Sequence, residues 1–149
     1  MYYEILIYIF LFFLIILISF LIAAYILNTI SYTKIFKTYN YKNLGYAWVP
    51  ILRVHILGLL TFDDPVTVFS FSIKKEYVVW WWVLIFFAIL IHPIIGCIIS
   101  LFLIAKFLGK IYNIVFKKLD PSYDKVALGI KSALIPMIMW VKVLSNKTS

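Results

Sequence analysis

Ile5-Leu-Ile-Tyr-Ile-Phe-Leu-Phe-Phe-Leu-Ile-Ile-Leu-Ile-Ser-Phe-Leu-Ile-Ala-Ala-Tyr-Ile-Leu-Asn-Thr-Ile30 contains no charged residue and no proline or glycine. A helix needs about 20 consecutive apolar residues to cross the hydrocarbon core of a bilayer, and this run exceeds that length. Its apolar residues are not confined to one stripe, so a soluble partner face is not what the pattern describes. A cleaved signal peptide would open on basic residues and carry a shorter apolar stretch. Here Met1-Tyr2-Tyr3-Glu4 precedes the run, and the run is expected to stay as a membrane anchor.

The rest of the chain has the same character. Of its 149 residues, 65% are hydrophobic and 13% are charged, against about 25% charged in an ordinary soluble domain. A small soluble domain leaves a third or more of its chain surface exposed and has no core large enough for so much apolar area. The expected fold class is therefore all-α: a single integral membrane domain over residues 1–149, with four transmembrane helices at about 5–30, 44–62, 83–105 and 126–144.

Three of these stretches carry a central proline. Leu44–Phe62 holds Pro50, Arg53 and His55; the third stretch holds His92-Pro93 with Gly96 one turn on; the fourth holds Pro136 between Lys131 and Lys142. Proline removes one helical N–H and leaves a carbonyl free, so the second to fourth helices are expected to be kinked. Trp80, Trp81 and Trp82 precede the third stretch and are expected to anchor it at the membrane interface, where indole rings accumulate.

The connecting segments are short. Ser31–Asn43 mixes Lys34, Lys37 and Lys42 with Tyr32, Tyr39 and Tyr41, the composition of an interfacial collar. Asp63-Asp64-Pro65 ends the second stretch as a turn, and Val66–Ile73 alternates weakly, as a short extended piece on the membrane surface. Lys106–Lys125 places Phe107, Ile111, Ile114 and Val115 at helical spacing opposite lysines, which predicts an amphipathic helix lying on an anionic surface. Ser145–Ser149 is a polar tail.

Orientation follows the distribution of Lys and Arg. Lys34, Lys37 and Lys42 in the first loop and Lys106, Lys110, Lys117, Lys118 and Lys125 in the third outnumber Lys74, Lys75, Lys142 and Lys147. With four crossings, both termini face outside. A re-entrant Leu44–Phe62 would spread the lysines evenly over both faces, which favours a full crossing for that stretch.

The net charge of +8 belongs to these juxtamembrane lysines, and lipid headgroups rather than nucleic acid are the expected partners. Cys97 is the lone cysteine, inside an apolar run, and reads as a packing residue. Arg53 is the sharpest residue. At the centre of a membrane helix an arginine costs about 2.5–3.5 kcal/mol on insertion scales, so it needs a partner. The carbonyls freed at Tyr46 by Pro50 and at Ile89 by Pro93 are one set of candidates; a partner's acid, an anionic lipid or a permeating anion are others. His55 and His92 lie at similar expected depth, but two histidines without further ligands make no zinc site. No metalloprotease or serine-hydrolase motif is present, and no acid lies inside an apolar stretch. No enzyme, cofactor or ion-coupled transporter is expected.

Gly45-Tyr-Ala-Trp48-Val-Pro50-Ile-Leu-Arg-Val-His-Ile-Leu-Gly58, with the aromatic opening Trp80–Trp82, Ala105-Lys-Phe-Leu-Gly-Lys110 and Leu134-Ile-Pro136, resembles small polytopic membrane proteins of Gram-positive bacteria. The resemblance covers about residues 40–140. It implies about four spans and no catalytic residues, and in that pattern Arg53 is more often a neutral polar residue and His55 an aromatic. The sequence reading is thus a non-enzymatic subunit of the bacterial cytoplasmic membrane. It would assemble with itself or with other membrane subunits through Arg53, His55, His92, Pro50 and Pro93, with an oligomeric pore lined by Arg53 and the histidines as the alternative.

Overall fold

A computed structural model describes residues 2–68, 71–123 and 126–146; Lys125, the centre of the Val66–Ile73 stretch and residues 147–149 of the tail lie outside the described residues. Helix α1 (Tyr2–Thr38) opens the chain with 37 residues, about 55 Å at 1.5 Å per residue. From Tyr3 to Leu27 its large apolar side chains are exposed. From Thr29 onward it enters protein, and Thr29, Ser31, Tyr32, Ile35 and Phe36 are buried. Asn40 ends it, taking a positive φ of 54° while the Tyr41 N–H closes back on the Phe36 carbonyl at 2.9 Å. Asparagine tolerates that conformation better than most residues.

The chain then makes a 3-10 turn over Leu44–Trp48 and enters α2 (Pro50–Thr61). Val66–Val68 (β1) and Phe71–Ile73 (β2) pair antiparallel, Val66 opposite Ile73, so the weak alternation forms a hairpin. A single turn, α3 (Lys75–Val78), leads into α4 (Trp81–Ile91) and α5 (Pro93–Leu103). A π turn over Ile104–Leu108 continues without interruption into α6 (Gly109–Leu119). The last two helices are α7 (Val126–Leu134) and α8 (Pro136–Ser145).

The three central prolines share one structural role, and it differs from the expected kink. Pro50, Pro93 and Pro136 each stand at the first position of a helix, where the missing N–H is not needed. The residue before each is extended: Val49 at ψ 112°, His92 at ψ 109° and Ile135 at ψ 91°. Proline's ring excludes the helical region for its predecessor, so each apolar run is cut in two. The stretch expected as the span 44–62 is a turn followed by a 12-residue helix. Helices α7 and α8 meet at 118° rather than forming one straight rod over 126–144.

At His92-Pro93 the chain reverses. A Cβ added to Gly96 would lie 2.4 Å from the Ala88 carbonyl oxygen and 2.6 Å from the Ile89 Cα, positions that a continuous helix holds about 12 Å and 10 Å away along its axis. At the other end of the same pair, the Trp81 and Phe107 rings stack with centroids 5.7 Å apart and an interplanar angle of 11°. Helices α4 and α5 are thus two arms of a hairpin, and the expected through-span at 83–105 is folded back on itself. Only glycine allows the arms to meet backbone to backbone.

Helix α6 is the centre of the core. Ile111, Val115 and Phe116 are fully buried, among Tyr32, Ile35 and Phe36 of α1, Leu57 of α2 and Met139 and Val143 of α8. The amphipathic helix foreseen at Lys106–Lys118 is present, but its apolar stripe packs on protein instead of lipid. Burying such side chains contributes about 1.5–3 kcal/mol each. Phe107, expected on the same stripe, is buried under Trp81.

Two helical runs are long and apolar enough to cross a membrane, Tyr3–Thr38 with 36 residues and Pro93–Leu119 with 27; the bent α7–α8 pair would be a third. Among the described residues the molecule is mostly helical, with two or three helices long and apolar enough to cross a membrane where four spans were expected. The C-terminal ends of the two long runs meet and advance in the same direction, since the Tyr32 and Tyr112 hydroxyls are 2.9 Å apart and the Lys118 ammonium sits 4.0 Å over the Tyr39 ring. The first and third lysine-rich loops therefore share one end of the molecule. Lys34 donates to the carbonyls of Leu144 and Asn146, which brings the last described residues to this same end. Tyr2 lies at the opposite end of α1, so the structure separates two ends that the sequence reading placed on one face.

Candidate functional site

Arg53 is positioned by the break that begins α2. Pro50 starts the helix, and the Arg53 N–H is the first to close on it, bonding the Val49 carbonyl at 2.9 Å. This turn points the side chain at α1. The guanidinium carbon lies 5.0 Å from the centroid of the Tyr32 ring and 5.9 Å from that of Tyr25. Tyr25 is itself held, its hydroxyl donating to the Trp48 carbonyl. Two tyrosine faces on one side of α1 thus receive a cation from α2, a contact worth about 2 kcal/mol when desolvated.

The cation is otherwise unmatched. Arg53 is 8% exposed, its Nε and Nη1 make no hydrogen bond, and it forms no ion pair among the described residues. The carbonyl proposed to receive it is occupied elsewhere, since Tyr46 accepts the Val49 N–H at 3.2 Å. Ile89 belongs to the far part of the α4 arm, near the hairpin tip. The local break that Pro50 makes orients Arg53, yet it does not satisfy it.

The histidines do not join this site. His55 packs edge-on against the Trp80 ring at 4.9 Å, two residues along α2 and so on the side turned away from Arg53. His92 is exposed at the hairpin tip, where its Nδ1 accepts the Ile95 N–H at 3.3 Å and caps α5. Trp80 and His92 stand at the two ends of α4, about 18 Å apart along it. Arg53, His55 and His92 thus face three different places and form no common lining. Pro50 and Pro93 act through the backbone alone. Among the described residues no group of three His, Cys, Asp or Glu side chains comes together.

The tryptophans divide as well. Trp80 is exposed and packs on His55 and Trp82, while Trp81 is buried on Phe107. Cys97, read as a packing residue, is exposed on α5. The sequence reading missed the tyrosines: Tyr25 and Tyr32, seven residues apart on α1, form the cradle for Arg53. Their i, i+7 spacing was available, but a partner on another element was not.

Compared with known protein families, with curated proteins and with solved structures, the chain matches none.

The lysine-rich end carries ordinary surface electrostatics. Asp120 is held below the usual carboxylate range, first by the Ser122 hydroxyl and then by Lys142, whose ammonium lies 3.0 Å away. Burial beside α6 pushes the Tyr39 phenol up to about 12.

Proposed function

We propose that this chain is a non-enzymatic subunit of a bacterial cytoplasmic membrane that assembles with itself or with a larger envelope complex. The observation that carries the reading is Arg53: a buried cation with two aromatic faces, two unbonded nitrogens and no ion pair among the described residues. A buried charge without a counter-charge costs several kcal/mol, more than the two ring contacts return. A carboxylate brought close to the guanidinium by a second subunit would supply the difference.

In this reading α1 crosses the bilayer from an outside N-terminus to a cytoplasmic lysine end, in keeping with the positive-inside bias. The α4–α5 hairpin dips in as a re-entrant element, since each 11-residue arm reaches about 16 Å, half the hydrocarbon thickness. Its backbone groups stay satisfied because helices carry their own hydrogen bonds. This arrangement replaces the kinked four-crossing bundle with one crossing, a hairpin and an interfacial core, and puts the last described residues inside. The resemblance of residues 40–140 to small Gram-positive membrane proteins supports the bacterial setting.

The test is particle mass in mild detergent, by light scattering, for wild type, Arg53→Ala and Arg53→Lys. Wild type is expected as an oligomer or complex; Arg53→Ala is expected to reduce its mass while helical content is retained, and Arg53→Lys to preserve it in part. A monomeric wild type with no co-purifying protein, or an Arg53→Ala particle of unchanged mass, refutes the proposal.

A further inference from the structure

A groove of about 440 Å³ runs along α1 beside the 3-10 turn, lined by Thr29, Ile30, Thr33, Lys34, Lys37 and Trp48. We propose that it is a binding site for the phosphate of an anionic phospholipid. The inference rests on α1 crossing a membrane and does not depend on the assembly reading.

The groove combines three features. First, it is cationic and holds no acid. Lys34 and Lys37 are one turn apart on the same side of α1, and both line the groove. Lys37 is exposed and makes no ion pair among the described residues. Lys34 is fixed by donating to the Leu144 and Asn146 carbonyls, contacts that hold an ammonium in position without neutralising it. Second, the threonines do not compete for the cations. The Thr29 hydroxyl donates to the Tyr25 carbonyl and the Thr33 hydroxyl to the Thr29 carbonyl, each at 2.9 Å, leaving small side chains as the floor. Third, the wall is an indole. Trp48 is 53% exposed, and its backbone is tied to α1 by the Tyr25 hydroxyl.

Depth favours a lipid over a free anion. The groove stands where the charge-free run Ile5–Ile30 gives way to the first lysines, the level at which headgroups lie. Ile30 lines it, and the exposed Ile26, Leu27 and Ile22 continue along α1 toward its N-terminus, an apolar track for acyl chains. A phosphodiester bound between the two ammoniums would have its chains on this track. Free phosphate would gain the charges but leave the track unused.

The experiment is native mass spectrometry of the whole protein released from detergent containing phosphatidylglycerol, phosphatidylcholine or inorganic phosphate. Phosphatidylglycerol adducts are expected to be retained over phosphatidylcholine. A lysine beside a phosphate contributes roughly a five-fold preference, so Lys37→Gln is expected to lower phosphatidylglycerol retention about five-fold. Trp48→Leu is expected to lower it with no change of charge. Lys117→Gln removes the same charge from an exposed site on α6 at the same end of the molecule and is expected to leave retention unchanged; circular dichroism checks that each variant is folded. Equal losses in Lys37→Gln and Lys117→Gln would show a general surface field and overturn the site. Equal retention of phosphatidylcholine would overturn the anionic specificity, and displacement of lipid by millimolar inorganic phosphate would overturn lipid as the source.

Discussion

Gly96→Ala should pry the α4–α5 hairpin apart. The added methyl would lie 2.4 Å from the Ala88 carbonyl oxygen, 2.6 Å from its carbon and 2.6 Å from the Ile89 Cα. All three are backbone atoms, so no side chain can rotate away and the arms themselves must separate by close to 1 Å. Overpacking of this kind costs about 1–3 kcal/mol, whereas alanine regains about 1 kcal/mol of helix propensity over glycine. The balance is a net loss, and Gly96→Val, which is larger and forgoes part of the propensity gain, should lose more. The assay is thiol cross-linking in a Cys97→Ser background. Leu84 and Leu103 line the same apolar cavity between the open ends of the two arms, so cysteines at these positions are expected to be joined within the chain by a bifunctional thiol reagent that spans such a cavity and is far shorter than a continuous helix would require. Adding Gly96→Val should lower the yield of that cross-link. In a continuous helix the same two positions would be about 28 Å apart and could not be joined. Absence of an intrachain Leu84→Cys/Leu103→Cys cross-link, with both thiols reactive, would refute the hairpin.

Two further outcomes can be checked directly. The Gly129 N–H donates to the Asn113 side-chain oxygen at 3.1 Å, and a Cβ there would come 2.2 Å from that oxygen and 2.5 Å from the Gly109 carbonyl; Gly129→Ala should destabilise the α6–α7 contact by about 1–3 kcal/mol, and Asn113→Ala in the same chain should restore part of it, read as a coupling in a double-mutant cycle of thermal unfolding. Asp120 has a folded pKa below its unfolded one, so its stabilisation is complete above the unfolded value of about 4 and is lost as pH falls through the folded value; Asp120→Asn should slightly lower the melting temperature above about pH 4 and converge on wild type as pH falls below it, so that the acid limb is flatter.

Much of the fold was legible because hydropathy reports the surrounding medium directly. The run Ile5–Ile30 has no charge and stands in the structure as the exposed part of α1. The helix over Lys106–Lys118 was visible in its period, and Arg53 stood out by being charged where charge is costly. The path of the chain was not legible in the same way. Pro93 in an apolar run is compatible with a kink, a break or a reversal, and Gly96 selects among them only by meeting Ala88. The tyrosine cradle of Arg53 was hidden for the same reason, since Tyr25 and Tyr32 on α1 are 28 and 21 residues along the chain from the cation they face.

What the sequence determined by itself is the solvent of this protein, the places where its helices must stop, and the end that carries its positive charge. Each follows from local chemistry: transfer of apolar side chains, the missing N–H of proline, and the count of lysines. Tertiary structure alone decided which apolar faces meet protein and which are left for lipid. The α6 stripe went to protein and the outer faces of α4 and α5 were left exposed, although all are apolar. To an apolar side chain a lipid tail and a neighbouring helix are nearly the same environment, so the choice rests on shape: glycines that let backbones touch, and prolines that turn the chain back to meet itself.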